Sequence, residues 1–273
     1  PIEILPRRQW FIKTLKFKDD LVGLGKKINW HPEYMGKRYR DWVENLKWDW
    51  CISRERYYGI PIPIFYCQDC GHAFTPDKSE LPIDPRTETQ GLKCPECSSG
   101  NIKGETQVFD TWFTSSQTPD INGYWPMSIR PQAHDIIRTW AMYSIQMGLL
   151  KHNGEIPWKD IMISGHILAK KSKISKRTGG GRFNPSEMVK NHSADAIRYA
   201  MCNASLGKDA YYEPEEVENG KRLVNKLFNA GKFSLMHLED YQSDQVPDQV
   251  RVIDRWIVDQ ADQGLFPKSA VEY

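Results

Sequence analysis

Two Cys-x-x-Cys pairs, Cys67/Cys70 and Cys94/Cys97, constrain this chain more than any other feature. Each pair aims two thiolates at one point from a tight turn, and two such turns complete a tetrahedral four-sulfur set that suits Zn2+. Gly71 follows the first pair and Pro95 lies within the second, as knuckle turns require; 23 residues separate the pairs. His72 stands in reserve as a ligand. Four protein ligands leave no open position for a reacting water, so the metal is read as structural. The region is small and polar, so the ion would supply much of its folding free energy, on the order of 10 kcal/mol. The competing reading is four free or redox-active thiols.

The other two cysteines, Cys51 and Cys202, are isolated. That usage fits a reducing, cytoplasmic compartment better than a disulfide framework. With 40% hydrophobic and 26% charged residues over 273 positions, the chain can bury a sizeable core and hold more than one domain. The net charge of +2 carries no global nucleic-acid signature, so any such contact must come from local basic patches. No apolar run approaches a membrane span and no signal peptide opens the sequence, so no membrane partner is expected.

Periodicity places the elements. Residues 9–12 suggest a strand. Met35, Tyr39, Trp42, Val43 and Leu46 share one face of a helix over 33–47. Residues 60–66 are β-rich but carry two prolines, which argues for an edge or irregular strand. A buried strand is expected at 108–113, an apolar helix at 136–150 with Asp135 at its start, and a strand at 158–165. Strand, helix and strand in that order suggest a βαβ unit, half of a nucleotide-binding fold. Helices are expected at 185–206, capped by Asn184 or Ser186, at 214–238 with an apolar stripe through Val217, Leu223, Val224, Leu227, Phe228 and Leu235, and from 252 to 266.

A basic, glycine-flanked loop follows the second strand: Lys170-Lys171-Ser172-Lys173-Ile174-Ser175-Lys176-Arg177-Thr178-Gly179-Gly180-Gly181. Its spacing is not that of a Walker loop. Mobile lysines on a loop that can close suit a polyphosphate, although such loops are commonly solvated surface. Asp135, at the end of a strand–helix turn, can accept both hydroxyls of a ribose.

The pentapeptide 173–177 resembles the Lys-Met-Ser-Lys-Ser loop of class I aminoacyl-tRNA synthetases. Segments 49–63, 109–116 (Phe-Asp-Thr-Trp-Phe-Thr-Ser-Ser) and 134–140 (His-Asp-Ile-Ile-Arg-Thr-Trp) are similar, in order, to blocks of the valyl, isoleucyl and leucyl branch. Segments 193–199 and 220–227 are most similar to its valyl members.

This resemblance implies part of a ligase that activates valine with ATP and Mg2+ to valyl-adenylate and transfers it to tRNA. An isoleucine- or leucine-specific ligase, or a non-catalytic zinc-stabilised tRNA-binding paralogue, are the alternatives. It implies an α/β fold: half of a Rossmann-like nucleotide-binding fold with a small zinc-ribbon insert and a C-terminal helical segment. The divisions are a return segment from an editing insertion (1–50), the zinc insert (51–107), the second catalytic half (108–185), and a stem-contact region opening a helical domain (186–273). It further implies that Lys173, Ser175 and Lys176 act in catalysis, and that Asp135, His166, Lys173, Lys176 and Arg177 bind ATP. Trp112, Ile136 and Trp140 would line the valine pocket, against the plainer reading of ordinary core. Arg54 and Arg56 would meet the tRNA, against the plainer reading of solvated arginines beside packed aromatics. Arg177 replaces the final serine of the loop, and His134 is read as a second departure. The His-x-Gly-His motif of such enzymes does not occur in the sequence, so an N-terminal catalytic half is an expected partner and the chain alone is expected to be inactive.

Overall fold

The computed structural model describes residues 6–121, 123–169, 172–173, 185–239 and 251–260. At its centre three strands lie parallel in the order β1–β3–β2: β1 is Asn29–His31, β2 is Met127–Ala133 and β3 is Trp158–Ser164. Parallel neighbours need a crossover between them. Between β2 and β3 it is one continuous helical run: a 3-10 turn at His134–Ile136, a π-helical turn at Ile137–Ala141, then α3 at Met142–Lys151. Helix α1 (Lys18–Lys27) leads into β1 and α2 (Tyr34–Glu44) leaves it.

These elements form because their apolar faces meet. In α2, Met35, Tyr39 and Val43 recur every four residues and are buried. They join Leu21 and Leu24 of α1, Ile137, Ala141, Met142 and Ile145 of the crossover, Trp30 of β1, and Trp158, Ile161 and Ile163 of β3 in one cluster. Polar atoms inside it find partners: the Tyr39 hydroxyl donates to the Leu21 carbonyl (3.0 Å) and the Trp30 indole to that of Gly25 (2.8 Å). Burial pushes the Tyr39 hydroxyl pKa far up, so it stays a donor.

Two expectations are corrected. The strand that feeds the crossover is β2, not 108–113. Val108–Phe109 is a two-residue strand paired with Ser53–Arg54, and the chain then turns into a helix, Thr111–Ser115. β2 escapes a reading by pattern because Pro131 interrupts it and its buried positions are Arg130 and Gln132. It lies at one edge of the three-stranded sheet, where a proline is tolerated. The expected helix over 185–206 is two, Pro185–Asn191 and α4 (Ala194–Cys202). Ser193 adopts an extended backbone between them, and its hydroxyl accepts the Ala196 N–H (3.2 Å) as the cap of α4. The long helix α5 (Pro214–His237) packs on α4, and Val217 and Gly220 are its buried residues there. Farther along its stripe Leu227, Phe228 and Leu235 are exposed. Beyond it Val252–Gln260 is helical, and the remainder of the helix expected to Phe266 lies outside the described residues.

The cysteine region is joined to the rest through a buried carboxylate. Glu105 accepts hydrogen bonds from the Trp10 indole (2.9 Å), the Tyr66 hydroxyl (2.6 Å), and the N–H groups of Thr106 (2.7 Å) and Gln107 (3.0 Å). Burial acts to raise its pKa, but these donors outweigh it and the pKa lies below the ordinary value. Burial, the hydrogen bond to Glu105 and its charge push Tyr66 up to about 12. A carboxyl with a depressed folded pKa stabilises the fold above its unfolded pKa, and that contribution is lost as pH falls through the folded one. Glu105→Gln should therefore cost about 2 kcal/mol at neutral pH, the scale of a hydrogen-bonded charged group. In urea titrations the gap from wild type should close as the pH falls below about 4. A gap independent of pH would refute this account of the junction.

Candidate functional site

The four knuckle cysteines converge. Their Sγ atoms all lie within 4.8 Å of one another, with Cys67–Cys97 at 3.5 Å and Cys70–Cys94 at 3.6 Å. Four sulfurs at about 2.3 Å from a tetrahedral Zn2+ stand about 3.8 Å apart, so the set fits that ion. The two knuckles repeat one geometry. Gly71 N–H donates to the Cys67 carbonyl and Ser98 N–H to that of Cys94, and Gly71 and Ser98 both adopt positive φ (75° and 60°). Cys67 N–H donates to the His72 carbonyl and Cys94 N–H to that of Ser99. Asp69 bridges them, accepting from the Ser99 hydroxyl and from the Asn101 amide. His72 is outside the sulfur cluster, its ring stacked near Phe74. A hydrogen bond from the Cys70 backbone draws the Cys67 thiol pKa down to about 7. At Cys97 the Ser99 N–H acts in the same direction, but the crowding thiols of Cys67, Cys70 and Cys94, together with burial, push it up to about 12. The Cys67 thiolate forms readily while Cys70 and Cys97 resist, a conflict that a divalent cation resolves.

Downstream, the helix Thr111–Ser115 carries Trp112 and the π turn carries Trp140, both half-buried. The Trp140 indole donates to the Ser115 carbonyl (2.9 Å), tying the two elements together. Arg130 of β2 lies face-on to the Trp140 indole, its guanidinium carbon 3.1 Å from the ring centroid. Trp50 stacks on Tyr143 of α3 at 3.7 Å. Asp110, 5% exposed, pairs with Arg54 at 3.2 Å and precedes the Trp112 helix. Arg54 also donates to the carbonyls of Cys51 (2.9 Å) and Ser53 (2.8 Å), so it is built into the ribbon, whereas Arg56 is exposed.

Asp135 and Ile136 stand in the turn that leaves the C-terminal end of β2, both half-buried. His166 follows the C-terminal end of β3 and leads into β4 (Ile167–Ala169), which pairs antiparallel with Ser172–Lys173 and parallel with Ala210–Tyr211. The backbone of Lys173 is thus the end of a hairpin rooted at the strand ends. Ser175, Lys176 and Arg177 lie outside the described residues. The rings of His134 and His166 meet edge-on at 4.4 Å.

Four participants at this end of the sheet were not expected from sequence. Arg130 sits in the unrecognised strand. Ser115 acts through its carbonyl, which no side-chain pattern encodes. Arg38 and Asp209 contact His134 from 96 and 75 residues away. The turn-like Leu206-Gly207-Lys208-Asp209 was the one available signal for the last.

Protein purified without added zinc should contain about one equivalent of it by metal analysis. Cys94→Ser should release the ion, with loss of most of a binding free energy on the order of 10 kcal/mol, and open residues 67–97 to protease. A metal-free chain with four alkylatable thiols and an unchanged fold would refute the assignment.

Comparison with known proteins agrees with this geometry. The family model described as tRNA synthetases class I (I, L, M and V) matches residues 3–213. The chain is 39% identical to the valine--tRNA ligase of Picrophilus torridus, over 97% of this chain and 35% of that protein. It is 41% identical to that of Thermoplasma acidophilum (94% and 34%) and 42% identical to that of Ehrlichia canis (94% and 32%). It spans about a third of the length of these relatives. Among solved structures it resembles the Agrobacterium radiobacter K84 agnB2 LeuRS in its ternary complex with tRNA and LeuAMS, with a TM-score of 0.64 at 21% identity over 78% of this chain and 32% of that one. It also resembles Mycobacterium tuberculosis methionyl-tRNA synthetase bound by methionyl-adenylate, with a TM-score of 0.63 at 18% identity over 94% and 46%. With a family model matched over most of its length, the chain belongs to the class I tRNA synthetases of the I, L, M and V group.

Proposed function

We propose that this chain is the C-terminal half of the catalytic core of a valine–tRNA ligase, which joins valine to ATP as valyl-adenylate and then transfers the valyl group to tRNA. The observation that carries the reading is 39–42% identity to valine–tRNA ligases across nearly the whole chain. On this reading 1–50 returns from an editing insertion, 51–107 is the zinc insert, 108–185 completes the nucleotide-binding fold, and 186–273 opens the helical region. The setting is cytoplasmic; among the described residues no helix is long and apolar enough to cross a membrane.

Each step asks something specific of the residues. Trp112, Ile136 and Trp140 enclose an apolar slot for a small branched side chain. Asp135 accepts the ribose hydroxyls of ATP, and His166 lies by the adenosine. When the valine carboxylate attacks the α-phosphorus, an oxygen–phosphorus bond forms and the bond to pyrophosphate breaks. Negative charge then grows on the leaving group, where Lys173, Lys176 and Arg177 meet it and Ser175 donates a hydrogen bond. Mg2+, when bound with ATP, adds further charge neutralisation. The zinc, held by Cys67, Cys70, Cys94 and Cys97, supplies structure and no reacting ligand. Arg56 contacts the tRNA backbone, with Arg54 shaping the ribbon beside it. The opposite wall of the site belongs to a His-x-Gly-His segment outside this sequence.

In the assembled enzyme Lys176→Ala should slow valine-dependent pyrophosphate exchange by about 2–4 kcal/mol in barrier, the scale of losing one oxyanion donor. ATP affinity should change far less, because the loop meets charge that exists mainly in the transition state. Collapsed ATP binding with an intact exchange rate would make the loop a ground-state clamp. The 273-residue chain alone should give no useful exchange, and activity should return when the N-terminal half is added in trans. Robust exchange by the chain alone would overturn the division of the site.

A further inference from the structure

His134 sits where three parts of the chain meet. Its Nε2 is 3.1 Å from Asp209 Oδ1, and its Nδ1 is 3.1 Å from the Arg38 guanidinium of α2. A guanidinium only donates, so Nδ1 must accept and the ring proton must reside on Nε2, where it points at the carboxylate. The side chain is 14% exposed. The charged and titratable groups around it are Arg38 from α2, Asp209 from the segment before Ala210, His166 from the turn after β3, and Asp135 on its own turn. The same Asp209 oxygen accepts the His166 backbone N–H at 2.7 Å. That bond first, and the one from His134 second, hold the Asp209 carboxyl below its usual range.

Asp209 is the point at which the root of the lysine loop is attached to the sheet. Ala210 N–H donates to the His166 carbonyl (2.9 Å), Tyr212 N–H to that of Leu168 (2.9 Å), and Gly207 N–H to that of Ile163 (2.7 Å). β4, held between Ala210–Tyr211 and Ser172–Lys173, is the first strand of the lysine-loop hairpin. The two backbones run so close that a Cβ on Gly165 would lie 2.0 Å from the Lys208 carbonyl oxygen. The segment 207–212 therefore sets where the hairpin starts, and the His134–Asp209 contact sets where that segment lies.

We propose that His134 is a positioning residue: as the neutral Nε2–H tautomer it bridges Arg38 and Asp209 and so fixes the root of the lysine-loop hairpin against the C-terminal ends of the sheet. The importance of that root for ATP chemistry rests on the function proposed above; the clamp itself does not.

The test is hydrogen exchange on the full 273-residue chain, corrected for intrinsic rates, for wild type, His134→Gln and His134→Phe. At about pH 7, His134→Phe should lower protection about tenfold or more at the amides of His166, Ala210 and Tyr212, with those of Ile161 and Ile163 unchanged. His134→Gln should retain protection, because its amide oxygen can accept from Arg38 and its amide N–H donate to Asp209. Nitrogen-15 spectra of wild type should show the Nε2–H tautomer. The proposal is overturned if His134→Phe keeps these amides protected, if His134→Gln is as labile as His134→Phe, or if the Nδ1–H tautomer is found. Should His134→Phe also lose protection at Ile161 and Ile163, the comparison of wild type with His134→Gln decides: protection kept in His134→Gln supports the bridge, and protection lost there overturns it. An intact clamp in an assembled enzyme that performs no valine-dependent exchange would sink the ligase reading and leave the clamp standing.

Discussion

The parallel register of β2 with β3 is the constraint on which the rest depends. Six paired positions, from Trp158 opposite Met127 to Ser164 opposite Ala133, run both strands in one direction. Parallel strands deliver their C-terminal ends to the same side of a sheet, which is where α/β folds place their ligands. The 3-10 turn with Asp135 leaves one end, and His166 with the root of the lysine loop leaves the other. Nothing more is needed to bring Asp135 and His166, 31 residues apart in sequence, to one edge. The crossover helix and the core cluster hold that register by burying Ile161 and Ile163, which share one face of β3. A slip of a single residue would turn those side chains out and the polar set in.

What could be read from sequence divides along physical lines. The cysteines were legible because metal-ligand spacing is a local property; the structure brings their four sulfurs together. Helix α2 and the 136–151 run were legible because apolar residues recur at helical spacing. β2 was not, because its buried residues, Arg130 and Gln132, are of the kind that usually face water. The break at Ser193 was not, because a capping hydroxyl and an ordinary exposed serine look alike until the backbone shows its extended ψ of 149°. The π turn at Ile137–Ala141 was invisible too, since the sequence there reads as plain helix. Contacts such as His134 with Asp209 lie beyond any local pattern, for they depend on how the chain returns after the second strand. Of the loop at 173–177, only the backbone of Lys173 falls among the described residues.

The ribbon that leaves the cysteine region links the four-sulfur cluster to the Trp112 helix. Ser53–Arg54 pairs with Val108–Phe109, and Arg54 ties Asp110 to the carbonyls of Cys51 and Ser53. The next residues form the Trp112 helix. At its other border the insert is locked through Glu105 to Trp10 and Tyr66. The insert is therefore anchored at the two strands that enter and leave it, and its stability reaches the Trp112 helix through covalent continuity and one partly buried ion pair. Arginine suits that pair, since its planar fork satisfies a carboxylate and two carbonyls at once.

Arg130 shows what holding an indole in place costs. Its side chain is 5% exposed, and burial lowers its pKa to about 10, which still leaves it charged at neutral pH. Its Nε and Nη2 have no hydrogen-bond partner among the described residues. A desolvated guanidinium against an indole recovers about 2 kcal/mol, less than the several kcal/mol lost on removing an ion from water. What the contact does provide is orientation. Trp140 is held in its plane by the bond from its indole N–H to Ser115 and across its face by Arg130. Those two constraints are nearly perpendicular, so the ring can neither tilt nor slide without breaking one of them. A pocket that must separate side chains differing by one methylene has only about 1–3 kcal/mol to work with. On the proposed reading of Trp140 as a wall of the valine pocket, a ring that relaxed by a few tenths of an ångström would forfeit much of that difference, so an indole fixed at the expense of a buried cation with unpartnered nitrogens is the more discriminating arrangement.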